Sequence, residues 1–158
     1  MAIRRIVTIK DDEAFLRKIS RPVEVFDARL KELVDDMYET LIDEQGYGLA
    51  APQIGILKRL AVIIYEDKRY ELINPEIIER EGEQTDYEGC LSVRGRNRLV
   101  VRPKKITVLT HDLAGKRRKI TASRMLARIF CHEMDHLDGI LYTDKCLPEE
   151  AEKNFNPE

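Results

Sequence analysis

The pentad His132-Glu133-Met134-Asp135-His136 limits what this chain can fold into. HExxH places two histidines one helical turn apart on the same helix face. Their ring nitrogens can converge on one metal ion, and the glutamate between them can act on a water held there. The pentad therefore predicts a helix, over residues 122–137. Met125, Leu126, Ile129 and Phe130 precede the motif at helical spacing, so this face meets the core, and Gly139 stops the helix. Two of the chain's three histidines lie in the motif.

The rest of the chain must build a frame around that helix. Leu30, Leu33, Val34, Met37, Tyr38, Leu41 and Ile42 predict an earlier helix over 28–44, with Asp27 as its N-cap and Gln45-Gly46-Tyr47-Gly48 ending it. Strands are predicted at 60–65, 70–74 and near Ile77, with a turn at Asp67-Lys68. Further strands are expected at 98–101, 106–110 and 117–120, the last two joined by a hairpin through Asp112-Leu113-Ala114-Gly115. Helix, antiparallel strands, then helix is the order of an α+β fold. The expectation is antiparallel sheets packed around a central metal-binding helix, with a helix on the N-terminal side. A length of 158 residues suits one domain, taken as 1–147, followed by a short polar tail over 148–158 that is expected to fray.

Bulk properties exclude several classes. The net charge of −2 carries no basic excess for direct nucleic-acid binding. Apolar runs such as 60–65 are far too short to cross a bilayer. The first residues lack a signal-peptide core, so a cytoplasmic location is expected. Cys90, Cys131 and Cys146 cannot all pair, and a reducing compartment implies free thiols. Cys90, in Glu88-Gly89-Cys90-Leu91-Ser92, reads better as a ligand or nucleophile than as half a disulfide.

A catalytic site of the zinc type keeps three protein ligands and one open position. The pentad supplies two. The third is either a downstream carboxylate (Asp138, Asp144, Glu149 or Glu150) or Cys90, whose thiolate is a strong, soft ligand. Cys131 neighbours His132 but points about 100° away on the helix, so it packs or supports rather than ligates. Cys146 reads as an ordinary thiol and His111 as a solvated side chain near a hairpin turn.

Three segments resemble, in order and at fitting separations, the motifs of peptide deformylase. They are Gly46-Tyr47-Gly48-Leu49-Ala50-Ala51-Pro52-Gln53, Glu88-Gly89-Cys90-Leu91-Ser92 and His132-Glu133-Met134-Asp135-His136-Leu137. The resemblance implies removal of the formyl group from the N-terminal methionine of new polypeptides, with formate as product and formylmethionyl nascent peptides as partners. It implies Cys90, His132 and His136 as metal ligands and Glu133 as general acid and base. Metal-bound hydroxide would attack the formyl carbon. The side chain of Gln53 and the backbone N–H of Leu91 would steady the developing oxyanion. Gly46, Tyr47, Gly48, Leu91 and Ile129 would bind substrate. The family's metal is ferrous iron, with zinc, nickel or cobalt as substitutes, whereas ligand chemistry alone names zinc first.

Departures from the family pattern stand out. Cys131 replaces the glutamine usual before the first metal histidine. Arg94-Gly95-Arg96-Asn97-Arg98 follows Leu91-Ser92-Val93, where proline and glycine are common. At alternate positions Arg94, Arg96 and Arg98 would share one face of an extended strand. Some relatives dock on the ribosome through a basic C-terminal helix. Glu149, Glu150 and Glu152 make this tail acidic, so that docking is not carried over. A zinc endopeptidase and a catalytically inactive metal-binding homologue are the alternatives; Gln53 and Cys90 argue against the first, and the retained Glu133 against the second.

Overall fold

A computed structural model describes residues 2–157. The architecture is the expected mixture of helices and antiparallel sheets. Helix α1 spans Ile9–Leu16 and helix α2 spans Ala28–Glu44. A five-stranded antiparallel sheet has the order β1-β2-β3-β6-β7, from Gly48–Ala50, Leu60–Tyr65, Lys68–Glu81, Lys105–His111 and Arg117–Ser123. A separate hairpin pairs β4 (Gln84–Cys90) with β5 (Val93–Arg102). Helix α3, Arg124–Leu137, lies between them and packs on β1, β2, β6 and β7 on one side and β5 on the other.

Each long element forms for a readable reason. On α2, Leu30, Leu33, Val34, Met37 and Leu41 are buried against Leu49, Leu60 and Val62. Asp27 caps the helix by accepting from the Leu30 N–H at 3.1 Å. On α3, Ala127, Ile129, Phe130, Met134 and Leu137 pack with Ala61, Ile63, Leu72 and Val108 of the five-stranded sheet. The helix thus presses its apolar side into the sheet and leaves His132 and His136 turned toward the hairpin.

The structure corrects several expected boundaries. The strands expected at 70–74 and near Ile77 are one strand, bent by a register shift between Ile73 and Glu76. Asn74 sits there at φ 51° and bonds both the N–H and the carbonyl of Val23. Helix α3 begins at Arg124, since Ala122 and Ser123 still belong to β7. Helix α2 ends where expected, with Gln45 as its left-handed residue. The tail does not simply fray: Glu149–Asn154 forms a 3-10 turn, Arg98 bonds Glu152, and Phe155 meets Tyr87 edge-on.

Candidate metal centre

The hairpin and the pentad helix bring the three proposed donors together. Cys90 ends β4, and His132 and His136 lie on the last two turns of α3. Their ligand atoms lie within 4.8 Å of one another, and Cys90 Sγ is 3.3 Å from His136 Nε2. A thiolate with two imidazoles is a soft, partly anionic set suited to a divalent transition metal. Burial disfavours the Cys90 thiolate, but the two imidazoles outweigh it and hold the thiol well below its ordinary range. The set therefore fits a metal ion. None of the downstream carboxylates weighed as third ligand joins this group.

A buried ion network fixes His132. Glu88 Oε1 lies 2.8 Å from His132 Nδ1. An ionised carboxylate only accepts, so Nδ1 carries the proton and Nε2 keeps its lone pair for a metal. Glu88 in turn accepts from Arg102 Nε and Nη2, both at 2.8 Å, and from Arg128 Nη1 at 2.6 Å. Arg102 also donates to Asp135 at 2.6 Å, which ties the network back to the pentad. Burial alone would raise the Glu88 carboxyl, but Arg102 and His132 hold it far below the usual carboxylate range. Burial disfavours the His132 cation, yet Cys90 and Glu88 draw its pKa well upward, so an ion bound at Nε2 would have to displace a proton there. Tyr142 stacks on the ring of His132 with centroids 5.9 Å apart.

Glu133 faces the other way. It is 5% exposed, its Oε1 has no hydrogen-bond partner, and burial raises its pKa against the pull of both histidines. Gly48 on edge strand β1 passes directly over it: a Cβ there would meet Glu133 Oε2 at 2.6 Å. Only glycine lets β1 approach the carboxylate this closely. Gln53, on the 3-10 turn that follows β1, is 2% exposed. Its Oε1 accepts from the Ala50 N–H at 2.9 Å, and its Nε2 donates to Ser92 Oγ at 3.1 Å and lies 3.6 Å from Cys90 Sγ. The Ser92 hydroxyl donates on to the Val7 carbonyl at 2.7 Å, so the amide is locked with its nitrogen beside the thiol. The Leu91 N–H donates to no acceptor among the described residues.

A cavity of about 560 Å³ opens over these groups. All five residues expected to bind substrate line it: Gly46, Tyr47, Gly48, Leu91 and Ile129. Met125, expected to pack in the core, lines it too, as do Arg128 and Tyr87, which the sequence did not single out. The unpaired edge of β1 borders the same opening at Gly48, since among the described strands β1 pairs with β2 alone. Cys131 is 5% exposed, packs in the core and borders a different cavity with Met134 and Asp135. Burial pushes its thiol up to about 11, which disfavours the nucleophilic thiolate. The three arginines do not act as one face: Arg94 and Arg96 border the main cavity, whereas Arg98 is tied to Glu152 and the Leu147 carbonyl.

The supporting network is the part that sequence reasoning missed. Arg128 carried a readable signal, being a charged residue one turn before His132 in the otherwise apolar run 125–131. Arg102 carried none, because its partners lie 14 and 33 residues away.

Comparison with known proteins agrees with this geometry. The family model described as polypeptide deformylase matches residues 3–152. The chain is 50% identical to the peptide deformylase of Acetivibrio thermocellus over 147 residues, covering 93% of this chain and 85% of that one. It is also 50% identical to that of Alkaliphilus metalliredigens, covering 94% of this chain and 100% of the relative. Among solved structures, the peptide deformylase from Thermotoga maritima superposes with a TM-score of 0.90 at 36% identity, covering 94% and 100% of the two chains. That from Legionella pneumophila gives 0.88 at 43% identity, covering 96% and 90%. With a family match across nearly its whole length and these donors gathered at one cavity, the chain belongs to the peptide deformylase family.

Proposed function

We propose that this chain hydrolyses the N-terminal formyl group of formylmethionyl peptides from newly made proteins and releases formate. The observation that carries the reading is the convergence of Cys90, His132 and His136, with Cys90, His132 and a buried Glu133 that keeps an unpartnered oxygen all lining one cavity. In this reading Cys90, His132 and His136 hold a divalent ion. Ferrous iron is the proposed native metal, with zinc, nickel or cobalt able to occupy the same donors. Such an ion supplies Lewis acidity that makes water a competent nucleophile near neutral pH.

The chain's own groups account for the remaining steps. Glu133 takes the proton that water loses as the C–O bond forms, then delivers it to the amine nitrogen as the C–N bond breaks. Its raised pKa suits a group that must both accept and return a proton. Negative charge gathers on the former formyl oxygen. The Nε2 of Gln53, held beside Cys90, and the uncommitted N–H of Leu91 are the proposed donors to it. The free edge of β1 pairs with the peptide backbone, which suits the glycines at 46 and 48. Leu91 and Ile129 line the space for the methionine side chain. The catalytic domain is taken as residues 1–147, and the location as cytoplasmic. No helix among the described residues is long and apolar enough to cross a membrane.

The test is formate release from a formyl-Met tripeptide. Protein prepared without air is loaded separately with iron(II), nickel(II) and zinc(II), with a chelator-treated sample alongside. Turnover that requires metal and spares the acetylated peptide supports the reading. Equal action on the acetylated peptide, or cleavage of internal peptide bonds, would overturn it.

A further inference from the structure

The arginine-rich segment after Cys90 forms a built feature of the cavity mouth. In the hairpin, Glu88 pairs with Arg98 and Cys90 with Val93. Four residues, Arg94, Gly95, Arg96 and Asn97, therefore bulge opposite the single residue Gly89. The bulge is anchored at both ends. Gly95 takes the left-handed φ of 80°, Tyr142 donates to the Arg96 carbonyl at 3.0 Å, and Asn97 covers Gly89 so closely that a Cβ there would meet its Oδ1 at 2.6 Å. A bulge held in this way presents its long side chains at a fixed place on the rim.

The charge presented there is only partly compensated. The Arg96 guanidinium has no ion-pair partner among the described residues and lines the cavity. Arg94 also lines it, is 52% exposed, and meets only Glu44, at 3.3 Å. The acidic groups of the cavity offer no compensation at the rim. Glu88 is buried and committed to Arg102, Arg128 and His132, and Glu133 lies on the floor. Gly46, Tyr47 and Gly48 line the same cavity as the bulge, which places this cationic rim beside a peptide lying along β1.

We propose that the Arg94–Asn97 bulge makes this chain charge-selective, favouring formylmethionyl peptides whose next residues carry acidic side chains and disfavouring basic ones. The inference rests on the proposed deformylation. Both guanidiniums are solvated, so the effect is modest and salt-sensitive.

The experiment compares kcat and KM for formyl-Met-Glu-Glu-amide, formyl-Met-Gln-Gln-amide and formyl-Met-Lys-Lys-amide; the amide cap removes the terminal carboxylate. The metal-loaded protein should prefer the acidic over the basic peptide by about threefold to tenfold in kcat/KM at low salt. The difference should lie in KM and shrink toward unity at high salt. Arg96→Glu should abolish or invert the ranking, and Arg96→Gln and Arg94→Gln should each weaken it. Equal kcat/KM for the acidic and basic peptides, or a ranking unchanged in Arg96→Glu, would overturn the proposal while leaving deformylation intact. No formate from any of the three peptides would overturn the deformylase reading and this inference with it.

Discussion

Two carboxylates are buried beside His132, and the fold surrounds them with opposite environments. Glu88, at the end of the hairpin, is saturated by two guanidiniums and the imidazole, and its carboxyl is held far down. Glu133, on the cavity side of α3, keeps an oxygen without a partner, and its carboxyl is pushed up. A saturated carboxylate is a fixed charge that orients a ring. An unsatisfied one has proton affinity to spare. In the proposed function the same residue type serves positioning on one side of the histidine and proton transfer on the other, and the difference lies in the neighbours.

Substitutions can break this contrast. The largest effect is expected from Glu133→Ala: formate release should fall by about 10²- to 10⁴-fold while metal content is unchanged. Turnover close to the parent's would remove Glu133 from its proposed role. Glu88→Ala should instead act on stability, costing about 3–5 kcal/mol in denaturant titration because Arg102 and Arg128 lose their buried partner. The same change should weaken metal affinity by about 10- to 100-fold as His132 loses its anchor. A cost below about 1 kcal/mol would show the network to be no stronger than a surface pair.

Smaller effects sharpen the contrast. Gly48→Ala should displace the Glu133 carboxylate and lower kcat by up to about a hundredfold, with the far-ultraviolet spectrum unchanged. Glu133→Gln should raise stability by about 1 kcal/mol, since it removes a buried charge with an unmade hydrogen bond. A loss of stability would contradict its description as unsatisfied. The pH dependence should be the subtlest sign. Because the folded Glu88 carboxyl lies below its unfolded value of about 4.3, its contribution is complete above that pH and drains away as pH falls further. Glu88→Gln should therefore flatten the acid limb of the stability curve.

The sequence made the elements with strong periodicity legible and hid those whose inward residues are polar. Helices α2 and α3 stood out because their apolar residues recur at helical spacing over several turns. Strand β4 went unseen because Glu88, a charge, is its only fully buried residue, so no apolar alternation exists to read. Strand β1 has three residues and a glycine at its start, too little for a pattern. Helix α1 carried only the Thr8 and Asp11 capping pair as a signal, in a short charged segment. At the site, the pentad and Cys90 were readable from donor chemistry, whereas the roles of Gln53 and Leu91 depended on the family resemblance. Arg102 and Tyr142 reach the site only through tertiary contacts, which no local pattern encodes.

Cys90 and His136 stand 46 residues apart, on a hairpin end and a helix end that no covalent bond joins. An ion held by both is a cross-link across that whole stretch of chain, and closing a long loop removes entropy from the unfolded ensemble. Ion occupancy and resistance to unfolding are then two readings of one bridge. A chelator would loosen the hairpin from the helix as well as silence the chemistry, and proteolysis within the intervening segment would report the loss of the ion.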